Sequence, residues 1–287
     1  MSNLPTGVQW RMFDPQEYVD WGNTSSNWPV WDIPTTEAVM VVNDFQIPYH
    51  DPTALSVVEQ VMADVVPDIV IYLGDIFDFP SLSSKFRKYP EQRYRLWRDI
   101  KLGKGIFTRH RGILPAARFI FVEGNHEARL GNYVVDNADE LTDMLNVDGG
   151  LSLPKLIGAD ELGIEYLGPY GAAFEHRSFI FKHGERITQF SAAAELRAEG
   201  TSGISAHTHK GGSAYSTNRS GAHAWYENFC LCHTEGVKRP PSSLVQAGPV
   251  NWQQGFSIIY FDGGIFNVYP VVITHGQCVW GGKRYTA

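Results

Sequence analysis

Five short polar clusters carry residue types that could do chemistry: Asp44-Phe45-Gln46, Gly74-Asp75, Gly124-Asn125-His126-Glu127, His183-Gly184 and His207-Thr208-His209. Each ends an apolar run, namely 38–42, 69–73, 119–122, 179–181 and 203–206. Runs of this length, rich in β-branched and aromatic residues, read as buried strands. The polar residues therefore fall at strand C-terminal ends, where open α/β sheets place their ligands. Two aspartates, an asparagine and three or four histidines converging on one sheet edge make a ligand set for two metal ions. The expectation is a dinuclear metal site.

In order and spacing, this series resembles the calcineurin-like metallophosphoesterases, whose signature runs D-x-H, G-D-x-x-D, G-N-H-E/D, H, then G-H-T-H. The corresponding segments are Asp44-Phe45-Gln46, Gly74-Asp75-Ile76-Phe77-Asp78, Gly124-Asn125-His126-Glu127, His183 and Ala206-His207-Thr208-His209, and the match spans roughly residues 38–210. One such tripeptide is weak evidence, but five in order after predicted strands are strong. The resemblance implies an α/β fold, a two-sheet β-sandwich flanked by helices in four αββα layers.

The resemblance also implies roles. Asp75 bridges two divalent ions; Asp44 and His209 hold the first, with Gln46 in the place of the usual histidine. Asn125, His183 and His207 hold the second. His126 sits over the phosphate, stabilising charge or protonating the leaving alkoxide, while a metal-bridging hydroxide attacks phosphorus in line. Glu127 orients the loop or a ligand, and Asp78 either makes a loop hydrogen bond or supports the site from behind. At Gln46 an amide oxygen replaces an imidazole nitrogen, a harder and weaker donor of unchanged charge. That favours Mn or Mg over Zn at the first position, with Fe also compatible, and lowers its occupancy. His50, four residues on, either substitutes for the missing ligand or contacts substrate.

Composition bounds the answer. The chain has 287 residues, 43% hydrophobic and 19% charged, which is globular rather than disordered. No apolar stretch approaches the roughly 18 residues of a membrane span, and the N-terminus lacks a signal-peptide pattern, so a cytoplasmic protein is expected. Three cysteines do not make a disulfide framework; Cys230 and Cys232 share a strand face and read as ordinary packing. The net charge of −7 argues against binding nucleic acid over the whole surface. It leaves room for a local patch, because the segment from Lys85 to Arg111 carries ten basic residues against Glu91 and Asp99. Arg87, Arg93 and their neighbours are either a solvated helix face or a cationic wall that attracts phosphate.

Residues 1–36 hold four of the eight tryptophans between prolines and are expected to form an ordered arm, ahead of one compact domain over 37–287. Within that domain a helix should start at Pro52 with Asp51 as its N-cap, burying Leu55, Val58, Val61 and Met62. Further helices are expected from Glu91 to about Phe107, with Trp97 and Ile100 inward, over Tyr133–Leu145 and over Ser191–Glu199. Strands are expected near 164–167, 172–175, 178–182, 222–231, 256–261 and 265–272, with Asp262-Gly263-Gly264 turning a hairpin.

The second cluster lacks the D-R-G continuation of the family's protein Ser/Thr phosphatases. The chain looks more similar to phosphodiesterase and nuclease-like members, including bacteriophage types. The first expectation is therefore a phosphodiesterase acting on a nucleotide or nucleic acid. A phosphomonoesterase, or a catalytically silent scaffold of the same fold, stands as the alternative. The sequence sets no oligomeric state.

Overall fold

Alternation along strand β1 (Glu37–Val42) sends Met40 and Val42 toward the helices and Val39 and Val41 toward a second sheet. The computed structural model describes residues 36–83, 96–146, 150–234 and 251–287. The tryptophan-rich arm, Arg87 and Arg93 lie outside the described residues. After α1 (Pro52–Val65), β2 (Ile69–Tyr72) repeats the alternation, and after α2 (Leu96–Ile113), β3 (Arg118–Val122) does so again. Val70, Tyr72, Phe119 and Phe121 face the helices, whereas Ile69, Ile71, Ile120 and Val122 face the other sheet. Parallel strands need cover on both faces, and these residues supply apolar side chains to both.

The chain continues through α3 (Arg129–Asn137), two short helices, α4 (Leu153–Ile157) and α5 (Ala159–Leu162), and β4 (Ile164–Leu167). The second sheet comprises β5 (Ala173–His176), β6 (Phe179–Lys182), β7 (Ser202–Ser205), β8 (Gly212–Asn218) and β9 (Gly221–Glu227), with α6 (Ser191–Glu199) between β6 and β7. Its spatial order is β5-β6-β7-β9-β8. The chain then returns to the first sheet with β10 (Gln254–Asp262) and β11 (Ile265–Ile273), giving the order β11-β10-β1-β2-β3-β4. A terminal hairpin, β12 (Gln277–Trp280) and β13 (Lys283–Thr286), adds Cys278 and Tyr285 to the core beside α1.

The layers are α1 and α2, first sheet, second sheet, α6: the expected αββα sandwich. Phe179, Phe181, Ile204, Ala224 and Tyr226 meet the first sheet, while Trp225 turns the other way onto Ala192 and Leu196 of α6. The register keeps strand ends level, with Val42 opposite Tyr72, Tyr72 opposite Phe121, and Ser205 between Lys182 and Glu227. Every loop that leaves a C-terminal strand end in the parallel parts therefore starts at about the same height. No described helix is long and apolar enough to cross a membrane.

Asp51 caps α1 as expected, its Oδ1 accepting from Thr53 N at 2.9 Å and Ala54 N at 3.4 Å. Several expectations need correction. Trp97 is 67% exposed, because α2 buries Asp99, Ile100, Gly103, Ile106, Phe107 and His110. Trp97, six residues before Gly103, lies about 120° from the middle of that stripe. The helix expected over 133–145 ends at Asn137; Ala138 leaves helical geometry and a 3₁₀ turn covers Asp139–Leu145. The strand expected over 222–231 ends at Glu227, where the chain turns toward the polar edge.

Candidate metal centre

The loops that leave the level strand ends are bound to one another through their backbones. Asp44 N donates to Gly74 O at 3.0 Å and Gln46 N to Asp75 O at 3.0 Å; Ala206 N donates to His183 O at 2.9 Å, and Leu231 N to Asp44 O at 3.1 Å. Gly74 and Gly124 permit the closest approach. A Cβ on Gly74 would stand 2.5 Å from His183 Nδ1, and one on Gly124 would stand 2.3 Å from Asp75 N. Asp44, Gln46, Asp75, His207 and His209 all adopt positive φ, between 49° and 73°. Side chains other than glycine rarely take that region, and such strain collects at functional sites.

The side chains so positioned form two overlapping groups. Asp44 Oδ1 lies 3.0 Å from His209 Nε2 and 3.4 Å from Gln46 Nε2, which is itself 3.1 Å from Asp75 Oδ2. On the other side His183 Nε2 lies 3.1 Å from Asn125 Oδ1 and 3.4 Å from Asp75 Oδ1, and Asp75, His183 and His207 bring ligand atoms within 4.8 Å of one another. Asp75 belongs to both groups. The structure thus assembles all seven sequence-predicted ligands at one edge.

The donor chemistry fits cations. His183 Nδ1 is 2.8 Å from Leu73 O, which only accepts, so this nitrogen carries hydrogen. Nε2 then turns a lone pair toward the oxygens of Asn125 and Asp75, three acceptors with no proton among them. Either an additional proton or a metal ion must fill that gap. The metal-free pKa values show the same demand. Burial lowers His183, but the charge and hydrogen bond of Asp75, the Asp44 charge and Leu73 O together outweigh it and push the ring up to about 9; Asp44 and Cys232 together likewise push His209 up to about 10 against burial. Burial alone would raise Asp75, yet the charges of His126 and His183 hold it well below the carboxylate range. His207 Nδ1 is buried without a hydrogen-bond partner, as a spare donor to a cation would be, whereas Gln46 turns Nε2 rather than its equally unpartnered Oε1 toward Asp44 and Asp75.

Glu127 ties the floor together. Its carboxylate accepts from Asp75 N and Phe77 N at 2.8 Å and from Gly124 N at 2.9 Å, joining two loops. Burial and then the Asp75 charge raise it to about 8. Phe77, on the same loop, seats its ring over Gly103 of α2, where a Cβ would come within 2.3 Å. His126 lies at the mouth, with Nδ1 2.8 Å from Asp78 Oδ1 outside good hydrogen-bond geometry, and Nε2 3.7 Å from Asp75 Oδ2.

Among the described residues His50 makes no hydrogen bond to these groups, but its Nδ1 is buried without a hydrogen-bond partner. It pairs with Cys232 through the backbone, and burial followed by the charges of His233 and Arg109 lowers its pKa. Three described residues of the basic segment are committed elsewhere. Lys104 pairs with Glu161 and Arg109 with Glu59, while Arg111 donates to Leu162 O, Ala117 O and Gly163 O and stacks on Phe119.

Sequence reasoning missed five residues here. Asn43 donates to Asp44 Oδ2 at 2.7 Å and is itself held by Asn228, a polar residue just past β9 that the strand-end rule could have found. Cys232 Sγ lies 3.8 Å from His209 Nδ1, and His209, Cys230 and Cys232 form a second compact trio, more than the packing role expected of the cysteines. Arg129 reaches His126, with Nη2 2.9 Å from Nε2.

The family model described as calcineurin-like phosphoesterase matches residues 38–233. The Gene 54 protein of Mycobacterium phage D29 is 27% identical over 254 residues, covering 84% of this chain and 96% of the relative. Its counterpart from Mycobacterium phage L5 is 26% identical over 238 residues, covering 79% and 90%. Among solved structures, Vacuolar Protein Sorting 29 from Cryptosporidium parvum aligns at a TM-score of 0.45 and 12% identity, covering 88% of this chain and 99% of that one. A dimetal phosphatase from Danio rerio aligns at 0.42 and 11%, covering 82% and 95%.

Proposed function

Because the chain belongs to the calcineurin-like phosphoesterase family, we propose that it hydrolyses phosphodiesters of a nucleotide or nucleic acid with two divalent ions, Mn favoured. The observation that carries this reading is the meeting of His183 Nε2, Asn125 Oδ1 and Asp75 Oδ1, an acceptor-rich corner that an added proton fills without metal and that a divalent ion would fill in its place. In the proposal Asp75 joins the two positions, Asp44, Gln46 and His209 complete the first, and Asn125, His183 and His207 complete the second. Bound divalent ions would supply Lewis acidity and a nucleophile at neutral pH.

The chain's own groups do the rest. Glu127 fixes the Asp75 and Gly124 turns at a set separation. His126 gives the leaving oxygen a proton from Nε2, while Asp78 beside Nδ1 stabilises the imidazolium. Gln46 would offer Oε1, unpartnered in the present orientation, to the first position after an amide flip. The present orientation, with Nε2 toward Asp75, favours a second reading in which that position stays empty and the fold serves as a scaffold.

Hydrolysis of bis-p-nitrophenyl phosphate and p-nitrophenyl phosphate by Mn-loaded protein decides between these, with Asp75→Asn as control. Diester cleavage that needs Mn and disappears in the control supports the proposal. Preference for the monoester replaces the diesterase by a monoesterase, and no turnover by fully loaded protein supports the scaffold.

A further inference from the structure

Arg129 occupies the first turn of α3, where the helix dipole disfavours a cation. Its side chain is only 17% exposed, so it also gives up most of its hydration there. Nη1 donates to Asp78 O and lies 3.5 Å from Asp78 Oδ1, and Nη2 lies 2.9 Å from His126 Nε2. A guanidinium only donates, so His126 Nε2 accepts this bond with its lone pair. Arg129 thus spends Nη2 on a weak neutral acceptor, the ring nitrogen that lies 3.7 Å from Asp75 Oδ2, in conflict with its charge.

An arriving oxyanion resolves that conflict, since it is a better acceptor for a guanidinium than a neutral ring nitrogen. There is space for one. A cavity of about 350 Å³ opens beside the metal centre, bounded among others by Asn125, Arg129, Asn132, Tyr133, Asp136 and Tyr170. It joins a candidate metal ligand to Arg129, the one cation on its wall among the described residues, and Asn132 adds an amide that can donate to a phosphate oxygen.

Resting on the hydrolase reading above, we infer that Arg129 and this cavity form the subsite for the substrate's phosphoryl group. The guanidinium transfers from His126 Nε2 to a non-bridging phosphate oxygen, a stronger acceptor, and leaves the ring nitrogen free to face the bound phosphoryl group. No bond is made or broken in this exchange; one hydrogen-bond acceptor replaces another.

The test uses inorganic phosphate as probe, titrated calorimetrically into the metal-loaded full chain, alongside diester kinetics, metal content and melting temperature. Arg129→Gln should weaken phosphate binding at least tenfold and raise KM with metal content unchanged, and Arg129→Lys should recover part of the loss. If the Gln variant loses metal or fails to fold, the Lys variant is read against wild type, with at least a threefold weakening expected. Unchanged phosphate affinity in the variants, or no phosphate binding by loaded wild type, overturns the subsite. Should wild type fail to turn over esters while phosphate binding still depends on Arg129, the hydrolase reading falls and the subsite stands.

Discussion

The ring of His183 is held by Leu73: Nδ1 lies 2.8 Å from that residue's carbonyl oxygen, so the other nitrogen can only face Asp75 and Asn125. In the metal-free chain His183 and His209 are raised to about 9 and about 10, so both carry protons at pH 7. Metal binding should therefore release about two protons at pH 7 and fewer as the pH approaches 10. Calorimetric titration of Mn in buffers of different ionisation enthalpy counts them. No proton release would mean these rings are not ligands.

Stability without metal should follow the same groups. Folded-state values raised above the ordinary histidine value contribute stability that is complete below about pH 6.5. That contribution is lost as the pH rises through about 9 and about 10. Glu127, raised to about 8, acts in the same sense, its contribution complete below about pH 4.5 and lost through 8. Urea midpoints of the stripped protein should fall between pH 6 and pH 10, and Glu127→Gln should flatten the part of the slope near pH 8.

Gln46→His restores an imidazole where the amide now lies 3.1 Å from Asp75 Oδ2. Zn binding at the first position should strengthen by at least about tenfold, moving stoichiometry toward two ions, because nitrogen donors suit Zn better than an amide oxygen. Elemental analysis after gel filtration reads the result. An unchanged stoichiometry would remove Gln46 from the ligand set.

His209 Nδ1 faces a sulfur, Cys232 Sγ at 3.8 Å, where a metal-binding histidine more often faces a carboxylate or carbonyl. Cys232→Ala should weaken Mn binding by about 10–100-fold, the usual cost of losing such a supporting partner. Cys232→Ser should cost less. Equal affinity in all three proteins would show that Cys232 does not orient the ring.

Gly124→Ala places a methyl group 2.3 Å from Asp75 N and 2.4 Å from Asp75 Oδ1, and the obstruction includes backbone that cannot swing aside. The expected cost is about 1–3 kcal/mol of stability, as for other overpacked sites, together with loss of metal binding. Thermal melts with and without Mn measure both. A variant that melts like wild type and binds Mn normally would contradict the tight loop contact.

The strands and their ligands were legible because two simple signals coincide: apolar runs of strand length, and a polar residue where each run stops. Asp44, Asp75, Asn125, His183, His207 and His209 all satisfy both. The residues that escaped depend on tertiary pairing. Asn228 matters because β9 ends beside β1, bringing it onto Val41 O and Asn43. Arg129 looks like any surface arginine until the second and third loops fold together and place Asp78 and His126 against it. Polar β8 carries almost no apolar signal, its pattern being exposed at nearly every position. Trp97 was misplaced because hydrophobicity alone does not say which way a tryptophan at a helix end points.

The two sheets contribute unequally to the edge they share: Asp44, Gln46, Asp75 and Asn125 come from loops of the first, and His183, His207 and His209 from loops of the second. Asp44 and His207 are 163 residues apart in the chain, yet in contact through Asp44 Oδ2 and His207 N at 3.0 Å. An ion held by both groups, as proposed, would be a removable staple across the sandwich, closing a loop most of the domain long. Like other cross-links, it lowers the entropy of the unfolded chain as well as stabilising the folded one. Chelation should then loosen the seam between the sheets, and amide exchange in β6 and β7 should quicken well away from any substrate.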